Sequence, residues 1–95
     1  MLKEFNFMAL KYEIKTFEAE IISGNPTGKT RVGFTVTDDS DNQKYLIDKT
    51  IETGSKSDDT ITDEAYEACQ TQVNDWVNSR KNIGKIFDPS SKKIT

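Results

Sequence analysis

The period of the hydrophobic pattern changes once along this chain, and that change restricts what it can fold into. From about Leu10 to Ile51 apolar and polar residues alternate; from about Ala65 to Val77 the apolar residues recur at spacings of three and four. Side chains alternate between faces along a strand and return to one face every three to four residues along a helix. A run of strands followed by one helix predicts an α+β domain rather than interleaved βαβ units. The expectation is a small antiparallel sheet of three to four strands, connected as a meander, with one C-terminal helix packed on one face.

The first strand is predicted over Leu10 to Ile22. Leu10, Tyr12 and Ile14 share one parity, whereas Phe17, Ala19 and Ile21 share the other. The apolar face therefore switches near Lys15 and Thr16, as a β-bulge or a break would require. Ser23 to Gly28 holds two glycines and an Asn-Pro step and reads as a loop. The second strand is expected over Thr30 to Thr37, with Val32, Phe34 and Val36 inward and Arg31, Gly33, Thr35 and Thr37 outward. Gly33 would allow another backbone to approach. Asp38 to Asn42 makes a hairpin connection. The third strand, Lys44 to Thr53, carries Tyr45, Ile47 and Ile51 on one face, and Lys49 interrupts that row as charges do near a sheet edge.

Gly54 to Thr60 reads as a polar linker. Thr62 is the expected N-cap, followed by Asp63 and Glu64 in the first turn and a helix to about Arg80 or Lys81. Its stripe of Ala65, Cys69, Val73, Trp76 and Val77 would cover Val32, Phe34 and Val36, with Trp76 as the main anchor. Ile86 and Phe87 are expected against the sheet, and Pro89 should end regular structure. Three segments result. Residues 1–7 form an N-terminal extension or short strand, since MALKYEIK from Met8 reads as a natural start. Residues 8–88 form one domain, and residues 89–95 form a loose tail.

Composition narrows the function classes. Hydrophobic residues are 34% and charged residues 31%, so the core is thin or is completed by a partner. The net charge of −3 divides unevenly, with +1 on residues 1–37, −7 on 38–67 and +3 on 68–95. An acidic middle and a basic end could pair between copies or face a basic partner. Cys69 is the only cysteine, which excludes an internal disulfide and suits a small buried side chain. No apolar run is long enough for a signal peptide or a membrane span.

The tempting motifs are incomplete. Ser23 to Thr30 resembles a phosphate-binding loop, but three residues rather than four separate Gly24 from Gly28, and a strand is expected to follow instead of a helix. Asp39 to Gln43 lacks the glycine and the distal glutamate of a calcium loop. Without histidine there is no Ser-His or Cys-His nucleophile, and one cysteine is a poor zinc donor set. Lys11, Lys15, Lys29 and Arg31 lie among Tyr12 and Phe17, yet an acidic chain lacks the footprint of a nucleic-acid binder. No catalytic, cofactor or metal residue is assigned, and neither a membrane nor a nucleic acid is expected as partner.

The opening MALKYEIK, the hairpin Thr35 to Asn42 and the Trp-bearing run Val73 to Gly84 resemble small proteins of tailed bacteriophages, particularly of the kind infecting marine cyanobacteria. The resemblance spans most of residues 8–88. It implies a virion or accessory role, in the virion or the host cytoplasm, and no transferable catalytic residues. The expected function is a non-enzymatic phage structural or assembly protein acting by self-association or docking on a larger protein. The alternative is a small acidic inhibitor or adaptor binding a host protein through residues 38–67. The candidate interaction surface is Asp38, Asp39, Asp41, Asp58, Asp59, Arg31 and Lys49, over core anchors Val32, Phe34, Val36, Cys69, Val73 and Trp76. The face opposite the helix is expected to offer Tyr12, Arg31, Thr35 and Lys49.

Overall fold

A computed structural model describes residues 10–95; the readings of residues 1–7 and of Met8 fall outside the described residues. The chain is α+β. Three strands, β1 (Leu10–Ile22), β2 (Asn25–Asp38) and β3 (Gln43–Glu52), form an antiparallel meander with β2 in the centre. Two helices follow, α1 (Asp58–Ala68) and α2 (Gln70–Ser79). A second, two-stranded sheet of β4 (Phe87–Asp88) and β5 (Lys93–Ile94) ends the chain.

The face switch in β1 has a structural counterpart. The register against β2 shifts between Ile14 and Thr16, leaving Lys15 as the extra residue. Tyr12 opposes Val36 and Ile14 opposes Phe34 before the shift, and Phe17 opposes Val32 after it. Directly opposed residues share a face, so the bulge keeps both apolar sets on the side of the buried residues. Gly33 sits opposite the bulge. A Cβ built there would lie 3.1 Å from the Thr16 Cβ, so the close neighbour is a side chain rather than the backbone expected.

The predicted loop from Ser23 to Gly28 contracts to two residues. Ser23 and Gly24 have φ of 52° and 79°, the paired positive values of a tight hairpin turn matched to strand twist. β2 therefore begins at Asn25 and includes Pro26. At this end β2 pairs only with β1, because β3 stops at Glu52 opposite Lys29. A missing amide hydrogen is tolerated on such an unpaired side.

The single helix expected from Thr62 is two helices starting earlier. Ser57 is the N-cap, its hydroxyl accepting from the Thr60 amide at 3.2 Å, with Asp58 and Asp59 in the first turn. The Thr62 hydroxyl instead donates back to the Asp58 carbonyl at 2.8 Å, as a threonine inside a helix does. The break falls at Cys69, with φ −97° and ψ 0°. There the Gln70 side-chain amide donates to the Tyr66 carbonyl at 3.0 Å, and a side chain entering the ladder is a recognised cause of a kink.

Val32, Phe34 and Val36 of the sheet and Ile61, Ala65, Cys69 and Val73 of the helices form one buried cluster. Trp76 is not the anchor. It lies at the margin of this cluster, stacked on Tyr45 with ring centroids 5.3 Å apart. Ile61, which the linker reading left out, is buried in its place.

Pro89 does not end the regular structure either. Asp88 accepts from the Ser90 amide through its carboxylate and from the Lys92 amide through its carbonyl, with Lys92 at φ 60°. Asp38 makes the same bonds to Ser40 and Asn42, with Asn42 at φ 62°. Pro89 occupies the position after the first turn residue, where its fixed φ fits. Ile86 and Phe87 are exposed rather than packed on the main sheet. No helix among the described residues is long and apolar enough to cross a membrane.

Candidate interaction surface

The sequence-derived surface residues separate into four places. Asp38 and the more exposed Asp41 both reach the end of α2: the Arg80 guanidinium donates to Asp38 Oδ2 at 3.0 Å and also pairs with Asp41 Oδ2. Arg80 also lies 4.8 Å from the centroid of the Trp76 ring, in cation–π range. Asp38 accepts from the Ser40 amide at 2.9 Å and the Ser40 hydroxyl at 2.7 Å. The Ser40 hydrogen bonds first, with Arg80 adding to them, hold its carboxyl below the ordinary aspartate range. These carboxylates tie a hairpin to a helix end and are largely committed to that task. Asp39 is exposed at the tip of the same hairpin.

Asp58 and Asp59 sit at the other end of the helical arm. Asp59 and Asp63 rim an open groove floored by Tyr12, Ile14, Phe34 and Tyr66. Asp38 and Asp41 therefore lie apart from Asp58 and Asp59.

Arg31 and Lys49 lie on opposite faces. Arg31 opposes Glu18 and pairs with it at 3.3 Å on the face away from the helices. Lys49 opposes Val32, so it points to the buried side and is half-buried in the row of Tyr45, Ile47 and Ile51. Tyr12 is likewise on the helix side, a correction to the opposite-face expectation. Its ring meets Phe34 and Tyr66 edge-on at 5.6 and 4.9 Å, and its hydroxyl accepts from Gln70 at 3.0 Å. Burial pushes the Tyr12 phenol up in pKa. Cys69 is fully buried, and burial pushes its thiol up as well, away from the reactive thiolate.

What pairwise patterning missed is an exposed apolar row. Ile14, Phe17 and Ile21 are 50%, 38% and 57% exposed along β1, which is an edge strand among the described residues. All three were read correctly as apolar, but alternation reports which residues share a face, not whether that face is covered. Leu46, 68% exposed, stands alone on the other face of β3. Among the described residues no group of three or more acidic, cysteine or histidine side chains could hold a metal ion.

Comparison with known proteins gives no match: no protein-family model, curated protein or solved structure is similar to this chain.

Proposed function

We propose that this protein is a non-enzymatic interaction component, a structural or assembly protein of a tailed phage, that works by self-association or docking on a larger protein. In this reading the two helices are the cap on one face of the sheet, and β1 is the working edge. The observation that carries it is the row of Ile14, Phe17 and Ile21, exposed on a 13-residue strand whose outer side has no neighbour among the described residues. An uncovered edge offers main-chain donors and acceptors, and an apolar row beside it supplies the burial that makes strand addition favourable. The phage setting rests on the residues of the resemblance. The site of action is then the virion or the host cytoplasm.

The acidic-inhibitor reading has one observation of its own, the aromatic groove rimmed by Asp59 and Asp63. It draws less from Asp38 and Asp41, which Arg80 already engages.

Quantitative mass spectrometry of purified particles and assembly intermediates from the encoding phage tests the first reading. The wild-type chain is expected at fixed stoichiometry, and a chain carrying Ile14→Asp and Phe17→Asp is expected to be lost from them. Absence of the wild-type chain from both would overturn the structural role.

A further inference from the structure

The charges of β1 are polarised along its length. Its first half carries Lys11, Glu13 and Lys15, a net +1, and its second half carries Glu18 and Glu20, a net −2. The register places Lys11 opposite Thr37, Glu13 opposite Thr35 and Glu18 opposite Arg31, away from the apolar row; Lys15 is the bulged residue, and Glu20 falls in a second register shift between Ala19 and Ile21, its carboxylate accepting from the Thr27 hydroxyl at 2.8 Å. The outer side of the strand has no neighbour among the described residues. One edge thus presents a helix-side apolar row and, on the opposite face, a charge gradient.

We propose that the partner of this edge is a second copy of the chain, its β1 paired antiparallel to the first about a two-fold axis near Lys15 and Thr16. The proposal rests on the self-association reading above and names its geometry. The product is a continuous six-stranded sheet.

The bulge selects the register. Ile14 and Phe17 are three residues apart yet face the same side, so the two apolar rows meet along their whole length when Ile14 of one copy opposes Phe17 of the other. Tyr12 then opposes Ala19, and Leu10 opposes Ile21. On the other face Lys11 opposes Glu20, an opposite-charge cross-strand pair that occurs twice by symmetry. Glu13 faces Glu18, whose charge Arg31 of its own chain offsets at 3.3 Å. Parallel pairing in register would instead set Lys11 on Lys11 and Glu20 on Glu20, which is unfavourable. The antiparallel arrangement is the one in which the basic half of each strand meets the acidic half of its mate.

Light scattering across a wide concentration range reads the mass. The wild-type chain should form a dimer. A Lys11→Glu variant and a Glu20→Lys variant should each lose it, and an equimolar mixture of the two should restore it. All these positions are on the surface, and circular dichroism of each variant checks the fold. Orientation is read by oxidative cross-linking with Cys69 left in place, since it is buried. Lys15→Cys should cross-link to itself. Glu20→Cys should not, but should cross-link to Lys11→Cys when the two are mixed. A chain that stays monomeric at every concentration, a mixture that fails to dimerise, or self-linking of Glu20→Cys overturns the proposal. A monomer that is nonetheless found at fixed stoichiometry in particles would overturn this pairing while leaving docking on a larger protein standing.

Discussion

The sheet has one apolar face, and its two halves are finished differently. On β2 the face is buried: Val32, Phe34 and Val36 form one cluster with Ile61, Ala65, Cys69 and Val73, and Tyr45, Ile47 and Ile51 of β3 pack against it partly buried. Along β1 Leu10 and Tyr12 pack against that cluster, but Ile14, Phe17 and Ile21 further along the same face each remain exposed. The pattern of apolar residues is similar in both halves; what differs is cover. Two helices of 11 and 10 residues span less than the 13- and 14-residue strands beneath them, because a helix rises about 1.5 Å per residue and a strand about 3.3 Å. A helical arm this short can close part of such a sheet: it reaches Tyr12 near the start of β1 and leaves Ile14, Phe17 and Ile21 open. The uncovered half is where an apolar surface serves binding instead of folding.

The largest expected effect separates the halves directly. Ile61→Ala removes a side chain 2% exposed at the centre of the cluster and should cost about 2–5 kcal/mol, the range for such truncations. Ile21→Ala on the open half should cost less than about 0.5 kcal/mol in the isolated monomer. Urea unfolding of both at low protein concentration makes the comparison. Equal losses would mean that β1 is packed in solution and that the two halves are not distinct.

Next in size is the tie at the hairpin end. Arg80→Ala leaves Asp38, with a side chain 15% exposed, without its charged partner, and removes the cation above Trp76. A loss of about 1–3 kcal/mol is expected, as for a mostly buried polar group left unpaired. Lys29, paired with Glu52 at 3.8 Å where both side chains are well exposed, should give close to nothing when replaced by alanine. If the two substitutions cost the same, the Arg80 network is only a surface pairing.

These differences also mark what could be read from the sequence. The bounds of β1 and its bulge were legible, because the parity of Ile14 and Phe17 cannot be reconciled on a regular strand. The meander was legible from turn residues spaced between alternating runs. The helix start was not: Ser57, Asp58, Asp59 and Thr60 are as polar as a linker, and only the Ser57 cap turns them into a first turn that brings Ile61 inside. Nor was the candidate surface. Arg80 is 42 residues from Asp38, and no local spacing announces that it will engage two of the proposed contact carboxylates. Lys49 and Arg31 were grouped by charge, but the register sets them on opposite faces.

A smaller effect is expected at the bulge that joins the two halves. At Gly33 an added methyl would come within 3.1 Å of Thr16 Cβ and 3.2 Å of its hydroxyl. Gly33→Ala should therefore destabilise by about 1 kcal/mol, the low end for inserting a methyl into a packed site. Combining it with Thr16→Gly, which removes both crowding atoms, should recover most of that loss, whereas Thr16→Ala, which keeps the Cβ, should recover only part of it. Thermal melts of the single and double variants check this, and simple additivity would place the strain somewhere other than Thr16.

The smallest effect is a dependence on pH. The Asp38 carboxyl is held below its ordinary value of 3.8, first by the Ser40 hydrogen bonds and then by Arg80. A group whose pKa is depressed in the folded state binds its proton more readily when unfolded. Its contribution to stability is therefore present at pH values above the unfolded pKa and disappears as pH falls through the folded one. Asp38→Asn should be less stable than wild type near neutrality, and the gap should be unchanged down to about pH 5. Below about pH 4 it should narrow, as the wild-type carboxyl takes up a proton and loses its charge toward Arg80. Parallel urea series at neutral, mildly acidic and strongly acidic pH measure the gap. A gap that stays constant throughout would mean that Asp38 acts as a hydrogen-bonding turn residue alone, and that the hairpin end is closed by shape and by Asp41 rather than by the Asp38 charge.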